Sequence, residues 1–212
     1  MKHVVVLISG SGSNLQAIMD AAAQAGSYKI CGVLSNRADA FGITRAQQAG
    51  IPTAVIQHQD YPDRQSFDEQ LINQIDEWQA DLVVLAGFMR ILTEAFVRHY
   101  SGRLLNIHPS LLPKFKGLNT HQRAIDADES EHGCTVHFVS EELDAGAPIV
   151  QAATEIGSED SVESLQQRIH KLEHKIYPLA VDWFCSGRLQ QVGQQAVLDG
   201  SPLGLSGKRL EA

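Results

Sequence analysis

Two residues with catalytic chemistry, Asn106 and His108, stand at the end of a predicted strand. They are two apart, and side chains two apart on a strand point to the same face of its sheet. Ligands of open α/β sheets bind at the carboxyl ends of the strands. An amide and an imidazole at that place can together donate two hydrogen bonds to an oxygen that becomes negatively charged. The pair therefore indicates a centre that stabilises an oxyanion.

A glycine-rich turn, Gly10-Ser11-Gly12-Ser13-Asn14, joins a predicted buried strand to the start of a helix. The N–H groups and positive end of a helix suit a phosphate, and glycine lets the backbone come close to it. A dinucleotide fingerprint would need glycine at Leu15 and an acid near Ser35-Asn36, and no Gly-Lys-Ser/Thr of a P-loop follows. The turn predicts a monophosphate site, with a plain strand-to-helix turn as the alternative.

A third candidate, Asp144, lies in the turn Leu143-Asp144-Ala145-Gly146. Judged by its position alone, a turn aspartate is expected to cap the backbone. Single histidines are also more often structural than catalytic. We interpret His121, His132 and His137 in this way.

Apolar runs and amphipathic stretches alternate through the first half of the chain. Such alternation is typical of βαβ units, with a parallel sheet covered by helices on both faces. The predicted strands are 4–8, 30–34, 53–56, 81–86 and 103–107, and the predicted helices run from the glycine turn to Gly26, over 41–49, and through Phe67 and Trp78.

After residue 108 the pattern changes. Residues 108–121, rich in Pro, Lys and Gly, predict a long loop, which in a compact domain is usually functional. Further strands are predicted over 135–139, 148–152 and 188–192, with a long helix over 162–184 and a flexible tail over 200–212. We expect one α/β domain over 1–212 with a Rossmann-like, mostly parallel sheet and antiparallel additions in its C-terminal half. Its phosphate- or nucleotide-binding half is 1–108, and 109–195 completes the site.

Composition narrows the possible partners. With 43% hydrophobic residues in 212, the chain can form a substantial core. A net charge of −8 argues against nucleic-acid and anionic-membrane partners, which need a basic surface. The three scattered cysteines indicate neither a zinc site nor a disulfide framework. With no signal peptide or membrane span expected, the predicted location is the cytoplasm.

Several ordered blocks give the chain a close resemblance to the phosphoribosylglycinamide formyltransferases. The Asn-x-His-Pro-Ser-Leu-Leu-Pro block at 106–113 resembles folate-dependent formyl-transfer and formyl-hydrolysis enzymes. The glycine turn and the Glu173-His174 segment resemble the purine enzyme within that group. The remaining blocks are 8–16, 85–92, 132–139, Leu143-Asp144 with Gly146, and the segment up to Tyr177-Pro178.

The resemblance implies a role for each matching residue. It implies that Asn106, His108 and Asp144 are catalytic, that the Leu112–Pro113 bond is cis, and that 109–195 binds folate. The implied substrate-phosphate residues are Gly12, Ser13 and Asn14; the implied substrate-binding residues are His170, Lys171, Leu172 and Glu173; and the implied folate-binding residues are Arg64, Met89, Arg90, Ile91, Leu92, Asn106, Ser140, Glu141, Glu142, Leu143 and Asp144.

The implied reaction is formyl transfer from 10-formyltetrahydrofolate to the amine of phosphoribosylglycinamide, in purine biosynthesis. Asn106 and a protonated His108 would stabilise the tetrahedral oxyanion, and Asp144 would favour the imidazolium through its opposite charge. No metal is expected, and the protein is expected to be a monomer or homodimer. The alternatives are a formyl-folate hydrolase, a formyltransferase acting on methionyl-tRNA, and a non-catalytic nucleotide-binding module.

Overall fold

The computed structural model describes residues 1–210, which form two compact units that divide at the bond between Asn106 and Ile107. The first unit contains β1 (Lys2–Ile8), α1 (Ser13–Ala25), β2 (Tyr28–Ser35), α2 (Phe41–Gln48) and β3 (Thr53–Val55). A 3-10 turn, His58–Asp60, leads to α3 (Arg64–Glu77), β4 (Leu82–Leu85), α4 (Glu94–His99) and β5 (Leu104–His108). The last two residues of β5 belong to the second unit.

The strands of the first unit form a parallel sheet in the order β3-β2-β1-β4-β5. Residues 4–8 of the central strand β1 are fully buried, as expected for a strand covered on both faces. The chain reverses its direction across the sheet after β3. Right-handed crossovers therefore put α1 and α2 on one face and α3 and α4 on the other.

The strand order gives the first unit a topological switch point between β1 and β4. The chain runs from β1 outward to β2 and β3, and then returns to β4 on the other side of β1. Open α/β sheets bind ligands at the carboxyl ends of the strands beside such a point. The glycine turn follows β1, and Gly87 to Leu92 follow β4, so both predicted binding segments of this unit start there.

The second unit continues with α5 (Thr120–Asp126), β6 (Glu131–Phe138), β7 (Pro148–Glu155) and α6 (Val162–Cys185). It ends with β8 (Leu189–Val192), β9 (Gln195–Leu198), β10 (Ser201–Pro202) and β11 (Lys208–Leu210). Strands β6 and β7 are antiparallel, β11 is parallel to β7, and β8, β9 and β10 form a separate antiparallel sheet. The predicted fold class is therefore confirmed: a mostly parallel sheet with helices, and antiparallel strands in the C-terminal part.

Helix α6 is the longest element and packs against β6 and β7. It begins with a capping box, in which Ser161 Oγ accepts the Ser164 N–H and Ser164 Oγ accepts the Ser161 N–H. Its buried residues recur at helical spacing, including Leu165, Ile169, Leu172 and Ile176. The cap and this apolar stripe fix which side chains of α6 face the core.

Two short helices and several strands were not predicted from the sequence. Helices α4 and α5 have six and seven residues, too few for a clear amphipathic period. The described part of the segment predicted as a tail contains two strands. Strand β10 pairs with β9, and β11 pairs with β7 through Lys208 to Leu210. The last two tail residues, 211 and 212, lie outside the described residues. No helix in the described part of the chain has the length and apolar character needed to span a bilayer.

Candidate active site

The glycine turn needs glycine at position 12. Gly12 has φ +70°, in the left-handed region, and directly precedes α1. A Cβ on it would lie 2.6 Å from the Cα of Gly42, so a side chain would push the turn away from α2. Ser13 and Asn14 form the first turn of α1, where N–H groups have no acceptor within the helix. This geometry suits an anion at the start of α1.

A buried serine, Ser9, joins this turn to the segment after β4. Its hydroxyl donates to Asn36 Oδ1 at 2.6 Å and accepts the Met89 N–H at 2.8 Å. Its own N–H donates to the Gly87 carbonyl at 3.1 Å. The predicted phosphate turn and the predicted folate wall thus start from neighbouring, hydrogen-bonded points of the first unit. The sequence assigned no role to Ser9.

The predicted folate wall exposes two large apolar side chains. Met89 is 67% exposed and Ile91 is 58% exposed, and each is flanked along the chain by the polar Arg90. Exposed apolar side chains of this size can cover a flat ring system. Their exposure at the sheet's switch point agrees with a ligand-contacting role.

Asp68 of α3 is a buried carboxylate that links two of the predicted folate residues. It is 2% exposed, and its Oδ2 accepts the Thr93 N–H at 2.6 Å. Burial raises the pKa of Asp68; the Thr93 hydrogen bonds and the positive charges of Arg64 and Arg90 oppose this effect. The charges of Arg64 and Arg90 therefore act on the same carboxylate. Sequence reasoning missed Asp68 because an aspartate inside an amphipathic helix carries no visible signal of burial.

Strand β5 carries Asn106 and His108. Asn106 is half-buried and lies opposite Leu85 of β4 in the sheet register, while His108 is the buried last residue of the strand. With one residue between them, the two side chains point to the same side of β5. Both stand at a carboxyl end, where the sequence placed them.

Both ring nitrogens of His108 face oxygen atoms. Nδ1 lies 3.4 Å from Asp144 Oδ2, and Nε2 lies 2.9 Å from the Phe115 carbonyl oxygen. A carbonyl oxygen only accepts hydrogen bonds, so Nε2 carries a proton. A carboxylate oxygen also only accepts hydrogen bonds, so both ring nitrogens of His108 face acceptors.

A second histidine, His137, lies on the other side of Asp144. Its Nε2 is 4.0 Å from Asp144 Oδ1, and its Nδ1 donates to the Phe138 carbonyl oxygen at 2.9 Å. Burial is the main cause that lowers the pKa of His137, to about 4, so its ring is neutral at pH 7. Asp144 thus lies between two imidazoles, of which the ring of His137 is neutral at pH 7.

The turn around Asp144 has a special backbone. Asp144 itself has φ +50°, and its Oδ2 accepts the Gly117 N–H at 2.9 Å. A Cβ at Gly146 would lie 1.7 Å from the Phe138 carbonyl oxygen, so only glycine fits there. Asp144 therefore makes a backbone contact of the kind expected for a turn aspartate, and it also faces His108. These two interpretations are not exclusive.

The other predicted residues of this turn lie at the surface. Ser140 Oγ donates to the Glu142 carbonyl at 3.0 Å, and Glu142 accepts from Lys116 Nζ at 2.9 Å. Glu141 and Leu143 are exposed. The predicted cis Leu112–Pro113 bond is confirmed.

Four consecutive residues of α6, His170 to Glu173, were predicted to bind the substrate. His170 and Glu173 are three apart and share one helix face, with Glu173 buried. Lys171 is exposed and Leu172 belongs to the core. The helix therefore separates the four, and His170 and Glu173 are the two that can act together.

The structure collects the predicted residues in two groups, one in each unit. The first unit holds the phosphate turn, Arg64 and the segment from Met89 to Leu92. The second unit holds the directly interacting pair His108 and Asp144, together with the turn before Asp144 and the α6 residues. Among residues 1–210, no three His, Cys, Asp or Glu side chains are arranged to hold a metal ion.

Comparison with known proteins places the chain in a family. The formyl transferase family matches residues 2–181. The chain is 52% identical over 205 residues to the phosphoribosylglycinamide formyltransferase of Escherichia coli (strain K12), covering 95% of each protein. It is 49% identical over 209 residues to the same-named protein of Haemophilus influenzae, covering 98% of each. A phosphoribosylglycinamide formyltransferase structure from Coxiella burnetii superposes with a TM-score of 0.95 at 53% identity, covering 99% of both chains. This chain therefore belongs to the formyl transferase family.

Proposed function

We propose that the protein transfers the formyl group of 10-formyltetrahydrofolate to the amine of phosphoribosylglycinamide, yielding formyl-phosphoribosylglycinamide and tetrahydrofolate in purine biosynthesis. It acts as one formyltransferase domain, in the cytoplasm, as a monomer or homodimer. Its substrates are small molecules, and it uses no metal, nucleic acid or membrane.

The observation that carries this proposal is the His108–Asp144 pair. A buried imidazole beside a buried carboxylate, with Nδ1 and Oδ2 3.4 Å apart, stands at the end of a strand that also bears Asn106. The pair occurs in a chain that matches curated phosphoribosylglycinamide formyltransferases over nearly their full length. A non-catalytic nucleotide-binding module would have no need of this combination of residues.

The proposed chemistry follows from the charge on His108. The substrate amine attacks the formyl carbon, and the carbonyl oxygen becomes an oxyanion. Asn106 and the imidazolium of His108 donate hydrogen bonds to that oxygen, which stabilises the transition state more than the ground state. The Asp144 carboxylate, 3.4 Å from Nδ1 of His108, attracts the positive charge of that imidazolium.

The proton balance needs one proton to leave the amine and one to reach the folate nitrogen that loses the formyl group. His108 gives a proton to the folate nitrogen, and a water molecule carries the proton taken from the amine back to His108, so the ring ends the reaction as it began. When the intermediate collapses, the carbon–nitrogen bond to the folate breaks and the new amide remains on the substrate.

The remaining predicted residues bind and orient the two substrates. Residues 12–14 hold the phosphate by N–H groups at the start of α1, and His170 with Glu173 contacts the glycinamide part. The folate contacts the apolar side chains of Met89 and Ile91 and the turn before Asp144. These further folate-binding residues are Arg64, Arg90, Leu92, Ser140, Glu141, Glu142 and Leu143, and the other substrate-binding residues are Lys171 and Leu172.

A purified-protein assay tests the proposal. Protein treated with a chelator is mixed with phosphoribosylglycinamide and 10-formyltetrahydrofolate, and the folate product is followed by absorbance while the formylated product is measured by mass spectrometry. We expect turnover that requires the amine substrate and that His108→Asn abolishes. The control His99→Asn, at an exposed position of α4, should retain it. Folate release without an amine acceptor would identify a hydrolase, and formylation of methionyl-tRNA alone would identify the tRNA enzyme.

A further inference from the structure

The outer side of the phosphate turn is held by one arginine of α2. Arg45 Nε donates to the Ser11 carbonyl oxygen at 2.9 Å, and its Nη1 donates to Gln16 Oε1 at 3.2 Å. The guanidinium also lies 4.9 Å from the centroid of the Phe41 ring, at the start of the same helix. Arg45 therefore connects the turn, the first helix and its own helix through a single planar group.

A backbone donor from the same helix holds the neighbouring carbonyl. The Gly42 N–H donates to the Gly10 carbonyl oxygen at 3.0 Å. Residues of α2 thus bind both carbonyl oxygens that come just before Gly12. No sequence signal marked these contacts, since Arg45 lies 34 residues from Ser11 along the chain.

These contacts set the direction of the N–H groups in the turn. In a trans peptide unit the C=O and the following N–H point in opposite directions. A Gly10 carbonyl directed at Gly42 directs the Ser11 N–H away from α2, and a Ser11 carbonyl directed at Arg45 does the same for the Gly12 N–H. A carbonyl oxygen turned toward a bound phosphate would instead repel it.

We propose that Arg45 is a positioning residue for the substrate phosphate: it holds the Ser11 carbonyl so that the N–H groups of the turn face the anion. This inference rests on the proposed function and adds a residue that acts through the turn, without touching the phosphate. The Nε and Nη1 bonds go to two different residues, so the planar fork of arginine, and not its charge alone, carries the role.

The experiment compares two arginine replacements with a control. Arg45→Met keeps the length of the side chain and removes both hydrogen bonds, while Arg45→Lys keeps the charge and loses the fork. The control is Arg98→Met on α4, where the arginine pairs with Glu94 at the surface. For each protein, kcat and KM are measured with phosphoribosylglycinamide and with the same glycinamide riboside lacking the phosphate, and folding is checked by thermal unfolding.

A loss confined to the phosphorylated substrate is expected. Arg45→Met should raise the KM for phosphoribosylglycinamide by about tenfold to hundredfold, as typical of losing hydrogen bonds from a charged group, with kcat and the folate KM within about twofold of the parent. Arg45→Lys should show most of the same loss. For the riboside lacking the phosphate, both variants should match the parent, and Arg98→Met should match it with both compounds.

Three results would overturn the proposal: no change in KM, an equal loss with both compounds, or full recovery in Arg45→Lys, which would mean that charge alone matters. The kinetics of the parent enzyme distinguish a wrong role for Arg45 from a wrong assignment of the phosphate turn. If the parent prefers the phosphorylated compound and Gly12→Val removes that preference while Arg45→Met does not, the turn binds phosphate and only the role of Arg45 is wrong. If the parent does not distinguish the two compounds, the phosphate assignment is wrong as well.

Discussion

The role of Asp144 can be tested by a substitution that the structure is suited to accept. Asp144→Asn keeps the shape of the side chain and removes its charge. The asparagine oxygen can take the place of Oδ2 and still accept the Gly117 N–H. Its amide NH₂ then takes the place of Oδ1, on the side of the residue that faces His137. Asparagine also tolerates the left-handed backbone at this position, so the variant should fold with unchanged stability.

The expected effect on the reaction follows from the distance between the charges. At 3.4 Å and an effective dielectric constant of about 20, Coulomb's law gives about 5 kcal/mol between the Asp144 carboxylate and the His108 imidazolium. Burying both ions opposes part of this, and hydrogen bonds to charged groups contribute about 1.5–3 kcal/mol net. Since 1.4 kcal/mol corresponds to a factor of ten, kcat at neutral pH should fall about 10²-fold.

The assay is steady-state kinetics over a range of pH. The KM values should change little, because the lost interaction acts mainly in the transition state. Asp199→Asn is a matched control: this aspartate also has a left-handed backbone, at φ +52°, but pairs with Arg188 at the surface.

Two results would refute this reasoning. A normal kcat at neutral pH in Asp144→Asn would leave only the contact with Gly117 and the structural role. An equal loss of kcat in the control Asp199→Asn would show that the effect does not come from the contact between Asp144 and His108. In either case the catalytic assignment of Asp144 would be withdrawn.

Two further predictions concern the turn and the stability of the fold. Gly12→Val should raise the KM for phosphoribosylglycinamide at least about tenfold, because a side chain cannot fit at φ +70° against α2, while the folate KM changes little; equal damage to both would make the turn structural. Burial lowers the pKa of His132 and His137 to about 4, so the unfolded chain binds protons below about pH 6.5 that the folded state does not. As the pH is lowered from about 6.5 to 5, the free energy of unfolding, measured with urea, should therefore fall by up to about 1.4 kcal/mol per pH unit for each histidine. A free energy of unfolding that does not change over this range would contradict the prediction.

The parallel core could be predicted from the sequence because its strands are continuous apolar runs. Residues 4–8 and 82–85 are buried on both faces, and such runs bounded by Gly or Asp stand out without knowledge of the partner strand. The short helices α4 and α5 could not be predicted in this way. Strand β11 has the sequence Lys208-Arg209-Leu210, and two charged residues in three do not indicate a strand. Its extended conformation depends on pairing with β7.

Some residues of the candidate site could likewise be predicted from the sequence, and others could not. His108 and Asn106 were visible because they are close in sequence, at a strand end. Asp144 lies 36 residues further on, and its position alone indicated only a turn; the 3.4 Å contact with His108 appears only in three dimensions. Asp68 and Arg45 carried no signal at all, because their roles depend on which backbone groups the fold brings to them.

In the proposed reaction, the contact between His108 and the Phe115 carbonyl affects kcat and substrate affinity differently. Nδ1 faces Asp144, so Nε2 is the nitrogen left for the formyl oxygen, and it already has a neutral carbonyl as its partner. A neutral formyl oxygen that displaces Phe115 exchanges one carbonyl for a similar one, with little change in free energy. Once that oxygen becomes an anion, it also attracts the positive charge of the imidazolium, so its hydrogen bond becomes stronger than the bond to the neutral Phe115 carbonyl. The Phe115 carbonyl therefore competes about equally with the formyl oxygen of the bound substrate, but less well with the oxyanion of the transition state. As a result, the hydrogen bond of His108 increases kcat more than it increases substrate affinity.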